Sequence, residues 1–188
     1  ILIVSSHYTQ GIYEKIFPHL TGTKIYKCYP VTVSFPPYIQ QKRPMSQTQS
    51  YTTCIGYLGR LSEDKNFPQL VELIVQLNRN SRKKYTLLAC GDVHSDSCHP
   101  QLITEYLQEQ LDDDDYFEYF PARPHSEIWE FLAQIDLMIF PSTSNLETLG
   151  RVIIEASHMK VPVVAARHAA TTELLPQQNL CSVNYREN

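Results

Sequence analysis

The chain has 188 residues, of which 43% are hydrophobic and 19% are charged, and its formal net charge is −4. This length provides for one well-packed core, or for one domain and part of another. The composition is that of an ordinary globular protein, and the slight acidity gives no global basic field to suggest nucleic acid as a partner. No apolar run approaches the roughly 20 residues that a membrane-spanning helix needs.

The cysteines and the amino terminus indicate the compartment. The five cysteines are odd in number and show no CxxC spacing. This pattern favours reduced thiols in a cytoplasmic protein over a disulfide framework or a zinc site. The amino terminus, ILIVSSHY, has neither a charged leader nor a long apolar segment, which argues against a signal peptide. It also has no initiator methionine, so we expect the chain to begin partway through a longer protein.

The first 50 residues are organised differently from the rest. Residues 1–4 are predicted to form a buried strand, residues 10–17 a helix and residues 24–29 a second strand. Four prolines then fall in a stretch rich in Gln, Ser and Thr, which is typical of a linker. One β-α-β unit is too small to bury a core alone, so we expect it to belong to a larger domain.

From residue 54 onward, short apolar runs alternate with amphipathic segments. Strands are predicted at residues 54–58, 85–90, 116–120, 136–141, 161–166 and 180–183. Helices are predicted around residues 67–77, 101–111 and 126–134, and again near Glu147. In the helix at 101–111, the inward face is assigned to Leu102, Ile103, Tyr106 and Leu107. The alternation predicts an α/β fold, a Rossmann-like parallel sheet with helices on both faces.

Two glutamates eight positions apart, in ETLGRVIIE, are the most informative feature. At about 3.6 residues per turn, Glu147 and Glu155 share one face if a helix begins at Glu147. If the helix begins just after Glu147, that carboxylate lies in the loop, and the free amides of Thr148, Leu149 and Gly150 form an anion site beside it. Two solvated charges are the simpler interpretation of the pair alone. The flanking strands favour a ligand site, because ligands bind at the carboxyl ends of parallel strands.

A second candidate follows the first strand of the main unit, in GYLGRLSEDKN. Gly59 allows close approach of the backbone to a ligand. Arg60 suits bidentate contact with phosphate oxygens, and Lys65 adds a second positive charge. Solvated loop charges are the alternative interpretation.

Other polar groups have simpler interpretations. The acidic run at residues 112–115 is expected to be a solvated loop. His94, Cys98 and His99 lie close in sequence but lack a second ligand pair for a metal. His7 is more simply a surface or interdomain histidine than a catalytic one. Neither GxGxxG after the first strand nor GxxxxGKS/T is present, so those nucleotide-binding motifs are not supported.

Four segments together resemble the C-terminal domain of retaining glycosyltransferases with the GT-B fold, the group 1 family. They are IGYLGRLSEDKN, LLACGD, DLMIFPSTSNLETLGRVIIEASHMKVPVVA and TTELL, and the similarity covers about residues 52 to 183. The resemblance implies a remnant of the N-terminal GT-B domain at residues 1–35, a linker at 36–52 and a truncated nucleotide-sugar-binding domain at 53–188. It also implies that the acceptor site and a catalytic histidine lie mainly in the missing N-terminal domain.

The resemblance also implies roles for individual residues. In that family, Arg60 and Lys65 would hold the donor diphosphate, and Glu147 would contact the donor sugar. Glu155 would accept hydrogen bonds from the ribose, and the base would lie against backbone at residues 121–123. The implied catalytic residues are Arg60, Lys65 and Glu147, and the implied donor-binding residues are Gly59, Arg123, Thr148, Leu149, Gly150 and Glu155.

The implied reaction moves a hexose from a nucleoside-diphosphate sugar to a glycan or lipid-linked acceptor, and needs neither a metal nor a cofactor. Peripheral membrane association of the full-length protein is compatible with a lipid-linked acceptor, and the fragment alone is expected to be inactive. The chain departs from the family at Thr148 and Leu149, at Lys160, where glycine is usual, and at residues 168–171, which replace a glycine-rich turn. The alternatives are a non-catalytic Rossmann-like nucleotide- or protein-binding module and a GT-B epimerase or phosphorylase.

Overall fold

The computed structural model describes residues 1–20, 22–29, 52–112 and 116–183. The predicted linker at 36–52 lies outside these residues except for Thr52, as do residues 113–115 of the acidic run. The strands are β1 (Leu2–Val4), β2 (Ile25–Lys27), β3 (Thr52–Leu58), β4 (Lys84–Cys90), β5 (Phe117–Phe120), β6 (Leu137–Phe140), β7 (Val163–Ala166) and β8 (Leu180–Cys181). The α-helices are α1 (His7–Ile16), α2 (Phe67–Asn80), α3 (Pro100–Leu111), α4 (Ile128–Leu132), α5 (Arg151–His158) and α6 (Thr171–Leu174).

The larger sheet is parallel throughout and has the strand order β5-β4-β3-β6-β7-β8. The chain therefore builds outward from β3 in one direction, then returns to β6 and builds outward in the other. The order reverses between β3 and β6, and this defines the switch point of a doubly wound sheet. The predicted α/β fold, with a Rossmann-like parallel sheet, is confirmed.

Two apolar cores cover the two faces of this sheet, because side chains alternate along each strand. On one face, Ile55 and Leu87 pack with the buried side of α2 and α3. On the other, Cys54 and Leu88 pack with α4 and α5 around Phe131. Burial of a large apolar side chain contributes about 1.5–3 kcal/mol, so these two layers supply most of the stabilisation of the fold.

The inward face of α3 is narrower than predicted. Ile103 and Leu107, four residues apart, are buried, whereas Leu102 and Tyr106 are 50% and 36% exposed. The prediction for these two residues was wrong because α3 packs on α2 along one narrow stripe. The Tyr106 hydroxyl instead donates to Glu72 on α2 at 2.6 Å, at the edge of the contact.

The amino-terminal unit is a separate parallel pair, β1 and β2, connected by α1. The prediction of a buried first strand was wrong, since Ile1 and Ile3 are 90% and 68% exposed and only Val4 is buried. A strand is buried on both faces only when a layer covers each face. Within the described residues, α1 is the helix that packs on this pair.

The loops after β3 and β4 touch at their backbones. Gly91 follows β4 with a φ of +152°, and a Cβ on it would lie 1.9 Å from the carbonyl oxygen of Gly59. The Gly59 amide in turn donates to the carbonyl of Cys90 at 2.9 Å. Since no side chain fits between them, the two loops form one rigid rim at the carboxyl edge of the sheet.

Candidate functional site

Two adjoining cavities open at the carboxyl ends of the central strands. The inner cavity has about 290 Å³ and extends between the loops that follow β3 and β6. The outer cavity has about 380 Å³ and extends toward the loops that follow β4 and β5. Both are lined by Leu58, Gly59, Arg60, Arg151 and Val152. The two cavities therefore form one continuous cleft at the switch point, where doubly wound sheets bind ligands.

An ion pair between Lys65 and Glu147 lies at the wall of the inner cavity. Lys65 Nζ is 2.9 Å from Glu147 Oε2, and the two side chains are only 15% and 19% exposed. Partial burial reduces solvent screening, so this pair is stronger than an exposed one. The other carboxylate oxygen, Oε1, has no hydrogen-bond partner in the described part of the chain. Glu147 thus has an acceptor available for a ligand.

Asn66 fixes the position of Lys65 relative to the loop after β6. It adopts the left-handed conformation, with a φ of +56°, between the short 3₁₀ turn Glu63–Lys65 and α2. Its side-chain amide donates to the Pro141 carbonyl at 2.9 Å and to Thr143 Oγ1 at 2.8 Å. Asparagine adopts this conformation more readily than most residues. Asn66 is not predicted from the sequence, because its only local signal is its position before the Phe-Pro start of α2.

Arg60 is held less tightly than Lys65. Its Nη2 lies 3.5 Å from Asp64 Oδ2, and both side chains are about half exposed, at 48% and 47%. The hydrogen bond from the Ser62 hydroxyl, with help from Arg60, holds the pKa of the Asp64 carboxyl below its usual value. An exposed pair of this kind contributes at most about 1 kcal/mol. The guanidinium is therefore able to turn toward an anion. The backbone of Arg60 is held in place, because the Tyr57 hydroxyl donates a hydrogen bond to its carbonyl at 2.6 Å.

The helix after Glu147 begins later than either predicted start. α5 starts at Arg151, and Gly150 precedes it with a φ of +79°. The prediction of both glutamates on one helix was wrong, because Glu147 lies in the loop. The alternative, with Glu147 in the loop, is correct, although Thr148, Leu149 and Gly150 precede the helix instead of opening it.

A run of open amides follows Glu147. Within the described residues, the backbone N–H groups of residues 148–152 donate no hydrogen bond to the protein. Thr148, Leu149, Gly150, Arg151 and Val152 all line the inner cavity. Leu149 is only 2% exposed, so it is buried at the base of this cavity wall. Unpaired amides before and within a helix's first turn favour an anion.

Glu155 is the buried charge of the outer cavity. Its side chain is 4% exposed, and Oε1 lies 2.9 Å from His125 Nε2 and 3.7 Å from Arg151 Nη2. Its second oxygen, Oε2, has no hydrogen-bond partner among the described residues. A buried carboxylate with an open oxygen is an acceptor for hydroxyl groups. His125 is not predicted from the sequence, because nothing in PARPHSE indicates its contact with a residue 30 positions away.

The far end of the outer cavity is formed by the segment after β5. Ala122, Arg123 and His125 line it. The Arg123 guanidinium lies over the Phe120 ring, 5.1 Å from its centre. Burial raises the pKa of the neighbouring Cys90 thiol, so this group is protonated near neutral pH and is not a nucleophile.

Several other residues lie outside the cleft. His7 does not line either cavity, and its imidazole contacts Lys27 Nζ. Cys98 is buried, and the described residues contain no group of three metal-ligating side chains. Asp112 ends α3 in the left-handed conformation, with a φ of +57°. None of the helices in the described ranges is both long and apolar enough to cross a membrane.

The parallel sheet is doubly wound, and cations, open amides and a buried carboxylate lie at its switch point. These features define a Rossmann-like domain of the class that binds ligands at the carboxyl edge of the sheet. The chain is a member of the glycosyl transferases group 1 family, whose sequence profile matches residues 39–179. Comparison with curated proteins finds no significant match.

Solved structures of GT-B proteins share this fold. The Anabaena protein Alr3699/HepE in complex with UDP is 24% identical with a TM-score of 0.69, over 97% of this chain and 49% of that one. The structure of its complex with UDP-glucose is 23% identical with a TM-score of 0.68, over 97% of this chain and 50% of that one. The C-terminal domain of a group 1 glycosyl transferase (LpcC) from Francisella tularensis is 20% identical with a TM-score of 0.55, over 70% of this chain and 67% of that one. The chain thus spans about half the length of the Anabaena protein.

Proposed function

We propose that this chain is the donor-binding half of a retaining glycosyltransferase. The full-length enzyme moves a hexose from a nucleoside-diphosphate sugar to a glycan or lipid-linked acceptor. The observation that carries the proposal is the continuous cleft, whose lining combines Arg60, Lys65 and a run of open amides with the carboxylates of Glu147 and Glu155. Each carboxylate keeps one oxygen available. Cations and open amides suit a diphosphate, and the carboxylates suit the hydroxyl groups on either side of it.

The donor lies along the cleft with its diphosphate in the middle. Arg60, Lys65 and the amides of Thr148–Val152 hold the phosphate oxygens, and Gly59 allows them close to the backbone. Glu147 accepts hydrogen bonds from the sugar through Oε1, which is open in the structure. Glu155 accepts them from the ribose through Oε2.

The base occupies the far end of the outer cavity, against the backbone of residues 121–123. Arg123 closes that end, since its guanidinium is already oriented by the Phe120 ring. The UDP and UDP-glucose complexes of the Anabaena protein make UDP sugars the first donors to test.

This half of the enzyme acts on the leaving group. As the bond between the anomeric carbon and the diphosphate oxygen breaks, that oxygen takes the electron pair and negative charge grows on it. Lys65 and the open amides are oriented before the reaction, so they stabilise this charge with little reorganisation, and the Arg60 guanidinium turns toward it. Because these groups supply the positive charge, we propose a reaction without metal or cofactor. The acceptor oxygen, positioned mainly by the N-terminal domain, forms the new bond to the anomeric carbon with net retention, and its proton passes to the departing diphosphate.

Calorimetric titration of a nucleotide panel tests this proposal. UDP, GDP, ADP and their sugars are titrated into the chain, then into Arg60→Ala and Glu155→Ala. Selective binding that both variants lose supports the donor site. Arg79→Ala and Glu109→Ala remove the same charges from α2 and α3, away from the cleft, and should bind like the wild type. Absence of binding at millimolar nucleotide favours the non-catalytic module instead.

A further inference from the structure

The amino-terminal unit is attached directly to the loop that carries Glu147. The Ser6 hydroxyl donates to the Thr148 carbonyl at 2.7 Å, and Thr9 Oγ1 lies 3.4 Å from the same oxygen. Ser6 is fully buried, and its Oγ also accepts from the Thr9 amide as the N-cap of α1. The start of α1 therefore fixes the peptide group between Thr148 and Leu149, one residue beyond Glu147.

Glu173, on α6, holds α1 in this place. Its carboxylate accepts from the His7 amide at 3.0 Å, from the Tyr8 amide at 2.9 Å and from the Tyr29 hydroxyl at 3.0 Å. Burial raises the pKa of the Glu173 carboxyl, but the bonds from the two amides outweigh burial and leave it below its ordinary value. A carboxylate is favoured at a helix N-terminus, so this contact is charge-assisted.

A second contact supports the opposite end of the same loop. The Tyr8 ring packs against the His168 ring with centres 6.1 Å apart. His168 Nε2 lies 3.2 Å from the carbonyl oxygen of Ser144. The loop between β6 and α5 has no regular secondary structure. The amino-terminal unit therefore contacts this loop on both sides of Glu147, directly at the Thr148 carbonyl and through His168 at the Ser144 carbonyl.

We propose that Ser6 and Glu173 are positioning residues for donor binding. They hold α1 against the loop, so that the open oxygen of Glu147 faces the donor sugar. This inference rests on the proposed function, in which Glu147 contacts the sugar. It couples the two units of the chain: neither Ser6, in the amino-terminal unit, nor Glu173, on α6, touches the donor, but their contacts determine how tightly the sugar is bound.

Binding measurements on the 188-residue chain test this positioning role. UDP-glucose and UDP are titrated into Ser6→Ala and Glu173→Gln. We expect each variant to weaken the affinity for UDP-glucose by about two- to tenfold, as for loss of one net hydrogen bond. The affinity for UDP should fall by less, because UDP lacks the glucose. Ser6→Thr keeps the hydroxyl and should restore binding. Ser81→Ala and Glu72→Gln remove equivalent groups far from the loop and should have no effect.

A double-mutant cycle with Glu147→Gln separates positioning from simple stabilisation. If Ser6 acts through Glu147, Ser6→Ala should cost little additional UDP-glucose affinity once Glu147 is replaced. A lowered Tm with an unchanged ratio of UDP-glucose to UDP affinity would overturn the inference.

Backbone NMR order parameters provide a test that needs no nucleotide. In Ser6→Ala, the order parameters of residues 147–150 should fall from about 0.85 toward 0.6. Unchanged order parameters would show that Ser6 does not hold the loop, even if the wild type binds the donor. Lack of UDP-glucose binding by the wild type, with lowered values in the variant, would instead reject the proposed function and retain the attachment.

Discussion

Replacement of Glu155 by glutamine removes one charge from the cleft with little change in shape. In the wild type, the carboxylate is 4% exposed, its Oε1 pairs with His125 and its Oε2 is open. Glutamine retains one acceptor oxygen but presents an amide donor at the other position. We expect the fold to tolerate this change, because His125 is 43% exposed and regains water when its partner is neutral.

The expected loss of nucleotide affinity follows from the kind of hydrogen bond that is lost. A hydrogen bond to a charged group contributes about 1.5–3 kcal/mol, and about 1.4 kcal/mol corresponds to a tenfold change in affinity. Glu155→Gln should therefore weaken nucleotide binding by about 10- to 140-fold. The expected loss is larger than that for exposed Arg60→Lys, whose positive charge is preserved.

The assay is calorimetry with UDP and 2′-deoxy-UDP on both proteins. The wild type should prefer UDP because its ribose offers one more hydroxyl to the carboxylate. Glu155→Gln should reduce that preference, since the two changes remove the same interaction. A variant that binds UDP as tightly as the wild type, or keeps the full preference for the ribose 2′-hydroxyl, would refute the assignment of Glu155 to the ribose.

Three further predictions concern the scaffold of the cleft. Gly91→Ala places a Cβ 1.9 Å from the Gly59 carbonyl, so it should cost at least about 2 kcal/mol and lower Tm by about 4–8 °C or more in calorimetric scans. Gly11→Ala, with open space around it in α1, should instead raise Tm slightly; equal effects of the two substitutions would contradict the steric argument. Asn66→Ala loses two hydrogen bonds and should reduce the free energy of urea unfolding by about 1–3 kcal/mol, whereas Asn66→Gly preserves the left-handed φ and should lose less. The lowered pKa of the Glu173 carboxyl stabilises the fold at pH values above the pKa of the unfolded chain, near 4.5, and this stabilisation is lost as the pH falls through the folded pKa. The free energy of unfolding of Glu173→Gln should therefore depend less on acid pH than that of the wild type.

The sequence predicts the main sheet well, because its strands are continuous apolar runs and its helices carry apolar stripes at helical spacing. In α2, the inward face is predicted to carry five residues, of which Phe67, Leu70, Val71 and Ile74 are buried and Leu77 is partly buried. These signals are local and need no knowledge of the partner element. The exposed Ile3 shows the limit of this approach, since an apolar run indicates a strand but not whether a second layer covers it.

The candidate site was only partly predictable. The sequence indicated Arg60, Lys65 and both glutamates, because each has a charged side chain next to a predicted strand or helix end. It did not indicate Asn66 or His125, whose importance lies in contacts with residues 75 and 30 positions away. The later start of α5 was also missed. The helix begins after Gly150, with a φ of +79°, and lacks the Ser, Thr, Asp or Asn cap that marks most helix starts.

The ion pair between Lys65 and Glu147 bears on which molecules the cleft rejects. A ligand that brings only phosphate to this place meets a carboxylate 2.9 Å from the cation it seeks, and the two anions repel each other. A ligand with hydroxyl groups beside its phosphate offers that carboxylate hydrogen-bond donors instead. We therefore expect the pair to favour nucleotide sugars over unsubstituted nucleotides and inorganic phosphate.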